Sequence, residues 1–482
     1  MSSFKYPIPT QQFIHGEFVD AKGTQKVTLK SAVDDSVIVE DFIFANSEDV
    51  DIAVESAAKG LLEWQALTPA KRGEHLWNYA TAIEKNAEQL GYLESILVGK
   101  PALFGGMWEP KTAGDLFRYF AGFCDKHVGE APSDEEGFLR IVRNEPLGIC
   151  AAINAFNSPI ITFAMKAAPA LAAGNVIISK ASEFNPFSSL FLAQLAVEAG
   201  IPAGVLNVIV GAGEAGAALA SHMKIRKISF TGSVATGKKV QIAGTNSNLK
   251  RVTLELGGKS PVIVFPDADL ANAAQSGASF LALNGQGCVL GTRIYVHEDI
   301  ADAYLAQLKA MVEHHASTLG ADPFDMKTMS SPLYHPQQKE VVMRFLEQGK
   351  KEAETVTGGK SWGEKGHYVE PTIFFKPTAD ADIVKKEIFG PVVVVDTFKT
   401  EDEVLHKAND TEYGLGAAVF TKDIDRAIRF ALKLEAGSVT VNNSQPFHPT
   451  VPFGGYKSSG VGRENGKAVL KEYSQTKSVH IK

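Results

Sequence analysis

Cys288 stands in LALNGQGCVLGTR, among three glycines and small polar residues. A thiolate is a strong nucleophile, and neighbouring glycines leave room for a substrate and for backbone N–H groups that hold an oxyanion. The other two cysteines, Cys124 in AGFCDKH and Cys150 in LGICAA, lie in apolar runs and read as core residues. Glu255 in LELGGKSP ends an apolar run. A carboxylate there either has a raised pKa suited to general-base work or pairs with Lys259 or Lys250 as an ordinary strand-end ion. Asn157 in AINAFNSP ends another such run. Its amide either reaches a developing oxyanion or turns the chain before Ser-Pro. In FTGSVATG, from Phe230 to Gly237, a strand passes through a Gly-rich turn into a helix. Gly232 and Gly237 permit close approach, the helix start offers N–H groups to a phosphate, and Ser233 adds a hydroxyl; a purely steric βα turn has the same glycines.

Taken together, AINAFNSP, KASEFNP, GAGEAGAALASH, FTGSVATG, LELGGKSP, GQGCVLGTR, KKEIFGPV, ANDTEYGLGAAVFTKD and PFGGYKSSGVGRENG resemble the aldehyde dehydrogenase superfamily, in order and over nearly the whole chain. The resemblance implies NAD(P)-dependent oxidation of an aldehyde to a carboxylic acid. Cys288 is the implied nucleophile, with the Asn157 amide and the Cys288 backbone N–H holding the thiohemiacetal oxyanion; loss of hydride leaves a thioester, which Glu255 hydrolyses by activating water. Lys166 and Glu464 match a charged pair that relays protons from the site. For the cofactor, similarity assigns Lys180 and Glu183 to the adenosine ribose, Ser233 to the pyrophosphate, and Glu387 with Phe389 to the nicotinamide end; Phe156, Phe230, Gly232 and Gly257 complete the set. Glu183 accepts hydrogen bonds from a ribose 2′-hydroxyl and repels a 2′-phosphate, so NAD is expected over NADP, with Lys180 offsetting part of that repulsion. No metal site is expected.

The chain departs from the family pattern at Ala155-Phe156-Asn157-Ser158-Pro159 and at Gly287 and Val289 beside the nucleophile. Small residues at Ser158, Thr162, Ala282 and Gly287, with Ile161, Met165, Phe447 and Phe453 as the remaining walls, imply a wide apolar tunnel for a bulky or aromatic aldehyde. KASEFNP and FNSP also resemble the branch that includes salicylaldehyde- and vanillin-type dehydrogenases. The absence of Arg or Lys at these positions disfavours carboxylated semialdehydes. Gln445 and His448 are either polar contacts at the mouth or a surface loop. Two alternatives remain open: a CoA-acylating relative, against which Glu255 argues, and a non-catalytic NAD-binding scaffold of the same fold.

The elements that must position these residues follow from hydrophobic periodicity. FIHGEFV and QKVTLKSAV alternate as strands and are expected to form an N-terminal hairpin, followed by helices near Glu48 to Trp64 and Pro69 to Leu97, the latter capped by Thr68. From Leu147, short apolar runs (GICAAINA, NVIISKA, VLNVIVG, RKISFTG, RVTLELG) alternate with helical stretches, and the pattern resumes from PVIVF to SVTVNN. Two α/β lobes with parallel sheets are expected, with ligands at the carboxyl ends of the strands. The resemblance divides the chain into a Rossmann-like cofactor domain (1–123 and 146–256), a second α/β catalytic domain (257–458) and a small β-flap oligomerisation element (124–145 and 459–482). A tail with free strand edges implies a homodimer or homotetramer.

With 482 residues, 45% of them hydrophobic, the chain is long enough for two or three domains and is not disordered. Its 48 Lys and Arg against 55 Asp and Glu leave a net charge of −7, which argues against nucleic acid or an anionic membrane as partner. Three cysteines cannot make a disulfide framework, and neither a signal peptide nor an apolar run of membrane-spanning length is visible. A cytoplasmic location is the expectation.

Overall fold

Asn46 and Thr68 start the first two helices by the chemistry their positions predict. The Asn46 side chain accepts from Glu48 and Asp49 N–H groups while Asp49 reaches back to the Asn46 N–H, and the Thr68 hydroxyl accepts from Lys71 N–H ahead of Pro69. The structure, a computed structural model, describes residues 4–133, 135–444 and 447–482. Helices α1 (Ser47–Ala66), α2 (Pro69–Lys85), α3 (Ala87–Val98) and α4 (Glu109–Ala121) form most of the N-terminal segment. The helix expected over Pro69 to Leu97 is two helices, because the chain leaves helical geometry at Asn86 (φ −104°, ψ 20°), whose side chain donates back to the Ala82 carbonyl.

The expected single hairpin is instead two. FIHGEFV folds on itself, β1 (Gln12–Ile14) against β2 (Glu17–Val19), because His15 and Gly16 both take positive φ (57° and 83°), which suits a tight two-residue turn. QKVTLKSAV supplies β3 (Lys26–Lys30), which pairs with a strand absent from the sequence reading, β4 (Val37–Ile43).

The first large sheet runs β18-β10-β9-β6-β7-β8-β1-β2. Its parallel centre is β6 (Ile149–Ile153), β7 (Val176–Ala181), β8 (Leu206–Val210), β9 (Lys227–Thr231) and β10 (Arg251–Glu255). Strands β6, β7 and β8 are buried along their whole length, as a sheet covered on both faces requires. Helices α5 (Pro159–Ala172), α6 (Phe187–Glu198), α7 (Gly213–Ser221) and α8 (Val234–Asn248) follow β6 to β9 in turn. Every residue of α5 is buried, which fixes it as the central helix against which the site is built.

The second sheet runs β13-β14-β15-β12-β11-β16-β17, with β11 (Ser260–Val264), β12 (Gly291–His297), β13 (Glu354–Thr357), β14 (Thr372–Phe375), β15 (Val392–Phe398), β16 (Gly416–Phe420) and β17 (Ser438–Val441). β13 and β14 escaped the sequence reading because ETVT is polar and TIFF is only four residues long. The chain end returns to the first sheet through β18 (Gly460–Val461), antiparallel to β10, although that stretch was expected in the flap. A separate two-stranded ribbon pairs β5 (Leu139–Pro146) with β19 (Ser474–Ile481). Among the described residues, no helix is long and apolar enough to cross a membrane.

Candidate active site

Parallel strands end side by side, and four of the residue groups singled out in the sequence lie at the carboxyl ends of adjacent strands: Asn157 after β6, Lys180 and Glu183 at β7, Gly232 and Ser233 after β9, Glu255 and Gly257 at β10. Cys288 and Glu387 come from the second sheet, from loops that enter the amino ends of neighbouring strands β12 and β15. A cleft of about 710 Å³ joins them, lined by Lys180, Glu183, Ser233, Glu255, Cys288 and Glu387 among others. Phe156, Asn157, Phe230, Gly232, Gly257 and Phe389 line the same cleft.

The loop leading to Cys288 is strained. Leu283, Asn284 and Gly285 all take positive φ (52°, 53° and 74°), a conformation that costs a non-glycine residue roughly 1–2 kcal/mol. A Cβ on Gly285 would collide with the Gly390 carbonyl, so the loop runs hard against the segment carrying Glu387 and Phe389. Cys288 is partly exposed, and its thiol is pushed up to about 12 by burial, with Glu387 and Glu255 adding negative charge. The Asn157 amide donates to the Gln286 carbonyl at 2.8 Å, which leaves its second N–H for another acceptor. Gln286 is in turn gripped by Tyr334 N–H on its side-chain oxygen. The sequence reading passed over Gln286, although it stands within the same GQGC run.

Glu255 pairs with neither lysine proposed for it. Lys250 donates to the Ala220 carbonyl and Ser247, and Lys259, buried and pushed down to about 7 by desolvation, has no hydrogen-bond partner. Both carboxylate oxygens of Glu255 are buried without a partner, and burial with the nearby Glu464 carboxylate raises its pKa well above the usual range. Its Oε1 points at Gly454, where an added Cβ would lie 2.6 Å away. Lys166 and Glu464, separated by 298 residues in sequence, form a fully buried ion pair of 2.6 Å. Arg463 stands beside Glu255 with its guanidinium tied to the Gly455 and Gly462 carbonyls.

At the far end of the cleft Lys180 and Glu183 lie 3.4 Å apart, Lys180 buried and its pKa lowered by desolvation. Ser233 caps α8: its Oγ accepts from Thr236 N–H at 3.3 Å and meets Thr236 Oγ1 at 3.0 Å. Phe230 lies beneath Gly232, with its ring 2.6 Å from where a Cβ would stand. Glu387 accepts from Gly258 N–H at 3.0 Å, and burial raises its pKa to about 7. Gln338 holds the Ile388 and Phe389 carbonyls, Phe389 having positive φ (54°). These features fit a nicotinamide dinucleotide: a carboxylate at one end for hydroxyls, a helix start for phosphates, and glycines where side chains would obstruct it. A Cβ on Gly257 would strike the Glu387 carboxylate. Gly257→Ala is therefore expected to raise the dinucleotide Kd about tenfold or more, read by fluorescence titration, since overpacking costs about 1–3 kcal/mol.

The residues expected as substrate walls are not gathered in that cleft. Ile161, Met165 and Phe453 belong to the apolar cluster against which Cys288 and Phe447 pack, and the Phe447 and Phe453 rings meet edge to face at 5.9 Å. None of the expected wall residues lines the 710 Å³ cleft. Thr162 Oγ1 is turned onto the Ser158 carbonyl, and Ala282 sits in the irregular turn before the strained loop. The space beside Gly287 is not open: an added Cβ would lie 2.8 Å from Leu290 Cγ. His448 is exposed and bonds locally to Thr450, whereas Gln445 lies outside the described residues. Cys124 and Cys150 are buried, with thiols pushed up to about 12.

A profile of the aldehyde dehydrogenase family matches residues 18–479. Aldehyde dehydrogenase 1 of Tanacetum cinerariifolium is 43% identical over 476 residues, spanning 98% of this chain and 94% of that protein. Among solved structures, a putative aldehyde dehydrogenase from Burkholderia cenocepacia superposes with TM-score 0.94 at 38% identity over 98% of each chain. An indole-3-acetaldehyde dehydrogenase mutant of P. syringae, in complex with NAD+ and IAA, gives TM-score 0.94 at 38% identity over 99% of this chain and 97% of that one. The two-sheet fold, the thiol and carboxyl groups of the cleft, and these full-length likenesses lead to one conclusion: the chain belongs to the aldehyde dehydrogenase family.

Proposed function

We propose that the protein oxidises a bulky apolar aldehyde, aromatic ones included, to the carboxylic acid with NAD through a covalent intermediate on Cys288. The observation that carries this reading is the continuity of one cleft from the Lys180–Glu183 pair to Cys288, Glu255 and Asn157. Lys180, Glu183, Ser233, Glu387 and Phe389, with Phe156, Phe230, Gly232 and Gly257 shaping the walls, hold the dinucleotide. When bound, it supplies the hydride acceptor of the oxidation. Cys288 Sγ adds to the aldehyde carbon as its thiol proton passes to Glu255 and on to the Lys166–Glu464 pair; the free Asn157 N–H and the Cys288 backbone N–H steady the oxygen, a contribution of about 3 kcal/mol per donor to the barrier. The resulting acyl group remains on sulfur as a thioester. Glu255, buried and unpartnered, takes a proton from the attacking water, and cleavage of the carbon–sulfur bond frees Cys288. The leaving Cys288 sulfur takes that proton back from Glu255, so the thiol is restored and one proton per turnover goes to the Lys166–Glu464 pair.

Support for the substrate class comes from the apolar core that Ile161, Met165 and Phe453 share and against which Cys288 packs, and from the P. syringae neighbour, an indole-3-acetaldehyde dehydrogenase. Ser158, Thr162, Ala282 and Gly287 are assigned to the same wall, with Leu290 filling the space at Gly287. The sequence division into cofactor domain, catalytic domain and β-flap is retained with β18 added to the first sheet. The short β5/β19 ribbon, whose β5 edge is bridged at Val142 to Glu130, and an exposed stripe of Ile424, Ile428 and Leu432 on one helix face support self-association as a homodimer or homotetramer.

The test is reduced-nicotinamide absorbance with benzaldehyde-type, short aliphatic and carboxylated aldehydes, each with NAD and with NADP. Aromatic aldehydes with NAD are expected to turn over fastest, and Glu183→Ala is expected to narrow the preference for NAD. Fastest turnover of acetaldehyde or succinic semialdehyde would refute the apolar wall, and an acyl-CoA product formed only with CoA would replace hydrolysis by thiol transfer.

A further inference from the structure

The residue two before Cys288 is a fully buried amide, Gln286, flanked by Gly285 and Gly287. Glycines on both sides leave its peptide groups free to rotate, and the preceding Leu283 and Asn284 already stand at positive φ, so the backbone alone does not fix where the Gln286 carbonyl points. That direction matters, because the carbonyl takes one N–H of the Asn157 amide at 2.8 Å. A planar amide holds its two N–H bonds at a fixed angle, so the acceptor of the first sets the line of the second.

The Gln286 side chain supplies what the backbone lacks. Its Oε1 accepts from Tyr334 N–H at 3.0 Å, and its Nε2 donates to the Leu283 carbonyl at 3.0 Å and to the Pro332 carbonyl at 3.4 Å. One amide thus clasps its own loop to residues 332–334, which lead into the helix Pro336–Glu352. The chain at Asn157 is held independently. Asn185 Nδ2 donates to the Phe156 carbonyl at 3.2 Å and to Glu94 Oε2 at 2.8 Å, and Lys100 bonds Glu94 at 2.5 Å and Glu109 at 2.6 Å. Asn185, Glu94, Lys100 and Glu109 are all fully buried. With the main chain before Asn157 fastened to this cluster, the aim of the Asn157 side chain is left to its bond with the Gln286 carbonyl.

We propose that Gln286 is the positioning residue of the oxyanion site: its side chain sets the direction of its own carbonyl, and that carbonyl aims the second Asn157 N–H at the oxygen of the substrate joined to Cys288. The proposal rests on the reading of Asn157 as an oxyanion donor. Because Gln286 precedes the nucleophile by two residues, donor and nucleophile are referenced to one short stretch of chain. No bond is made or broken at Gln286. The oxygen of the free aldehyde carries no full charge, so loss of the aim falls on the rate of reaction rather than on binding.

Gln286→Met keeps the length of the side chain and removes its three hydrogen bonds; Gln286→Glu keeps an acceptor for Tyr334 N–H and sets an oxygen against the Leu283 carbonyl. Each is made alone and together with Asn157→Ala, and first-turnover formation of reduced nicotinamide is followed after rapid mixing. Asn157→Ala is expected to slow that step about a hundredfold and each Gln286 variant about tenfold, with the aldehyde KM and the dinucleotide Kd within about twofold of the parent. On the Asn157→Ala background neither Gln286 variant is expected to slow it by more than about twofold further, since the group it positions is gone. A Gln286→Met rate within about twofold of the parent, or the same tenfold loss on both backgrounds, would overturn the proposal. Gln286→Glu carries the same comparison if Gln286→Met does not fold. If Asn157→Ala reacts at the parental rate, the oxyanion reading itself fails; if Asn157→Ala is slow and the Gln286 losses simply add to it, only the positioning role fails.

Discussion

Cys288→Ser is expected to lose turnover by roughly a thousandfold or more while dinucleotide binding, measured by fluorescence titration, stays within about twofold. The two readouts separate because Cys288 is carried by the loop before β12 of the second sheet and the Lys180–Glu183 pair by β7 of the first. A hydroxyl replacing the thiol fills nearly the same space but is a far weaker nucleophile at neutral pH. Cys124 and Cys150, deep in the core with thiols held at about 12 by burial, cannot substitute. The wild-type thiol also has a distinct pH signature. Burial first, then Glu387 and Glu255, hold Cys288 protonated at neutral pH, so its alkylation by iodoacetamide is expected to rise about tenfold per pH unit on the alkaline side. Glu387→Gln removes one of the negative charges and is expected to speed alkylation at neutral pH. A flat alkylation profile, or an active Cys288→Ser, would remove the nucleophile assignment.

Glu255→Gln is expected to stop the reaction halfway: about one equivalent of reduced nicotinamide per Cys288 in a burst, followed by steady turnover lowered by on the order of a hundredfold or more. The amide has nearly the shape of the carboxyl group but cannot take a proton from water, and both Glu255 oxygens lack any partner whose loss would disturb packing. Mass analysis of the stalled enzyme should show acylated Cys288. Steady turnover matching the parent would transfer the base role to Glu387, the cleft carboxyl whose charge acts on Cys288 and whose pKa is raised to about 7 by burial.

The parallel centre of both sheets was legible because strands covered on two faces are apolar along their length, as in GICAAINA and PVVVVDTF. The caps at Asn46 and Thr68 and the position of Cys288 among glycines were equally readable, since each depends on neighbours within a few residues. Strand pairing at the N-terminus was not, because β3 alternates as well as β2 does and only the turn at His15 and Gly16 decides which partner each takes. The expected substrate wall shows the same limit: Gly287 reads as open space, but a Cβ there would meet the Leu290 side chain.

By itself the sequence determined the family and the two α/β sheets, because motifs and periodicity are local, and through the resemblance it named the proposed nucleophile, base and cofactor-facing residues. Tertiary structure alone decided what those residues touch. Asn157 meets Gln286, Lys166 meets Glu464, and Glu255 meets neither of its nearby lysines, over separations of 129 and 298 residues for the two contacts made. Burial then sets their protonation, since the free energy of a charge depends on the dielectric and the neighbours that folding assembles around it.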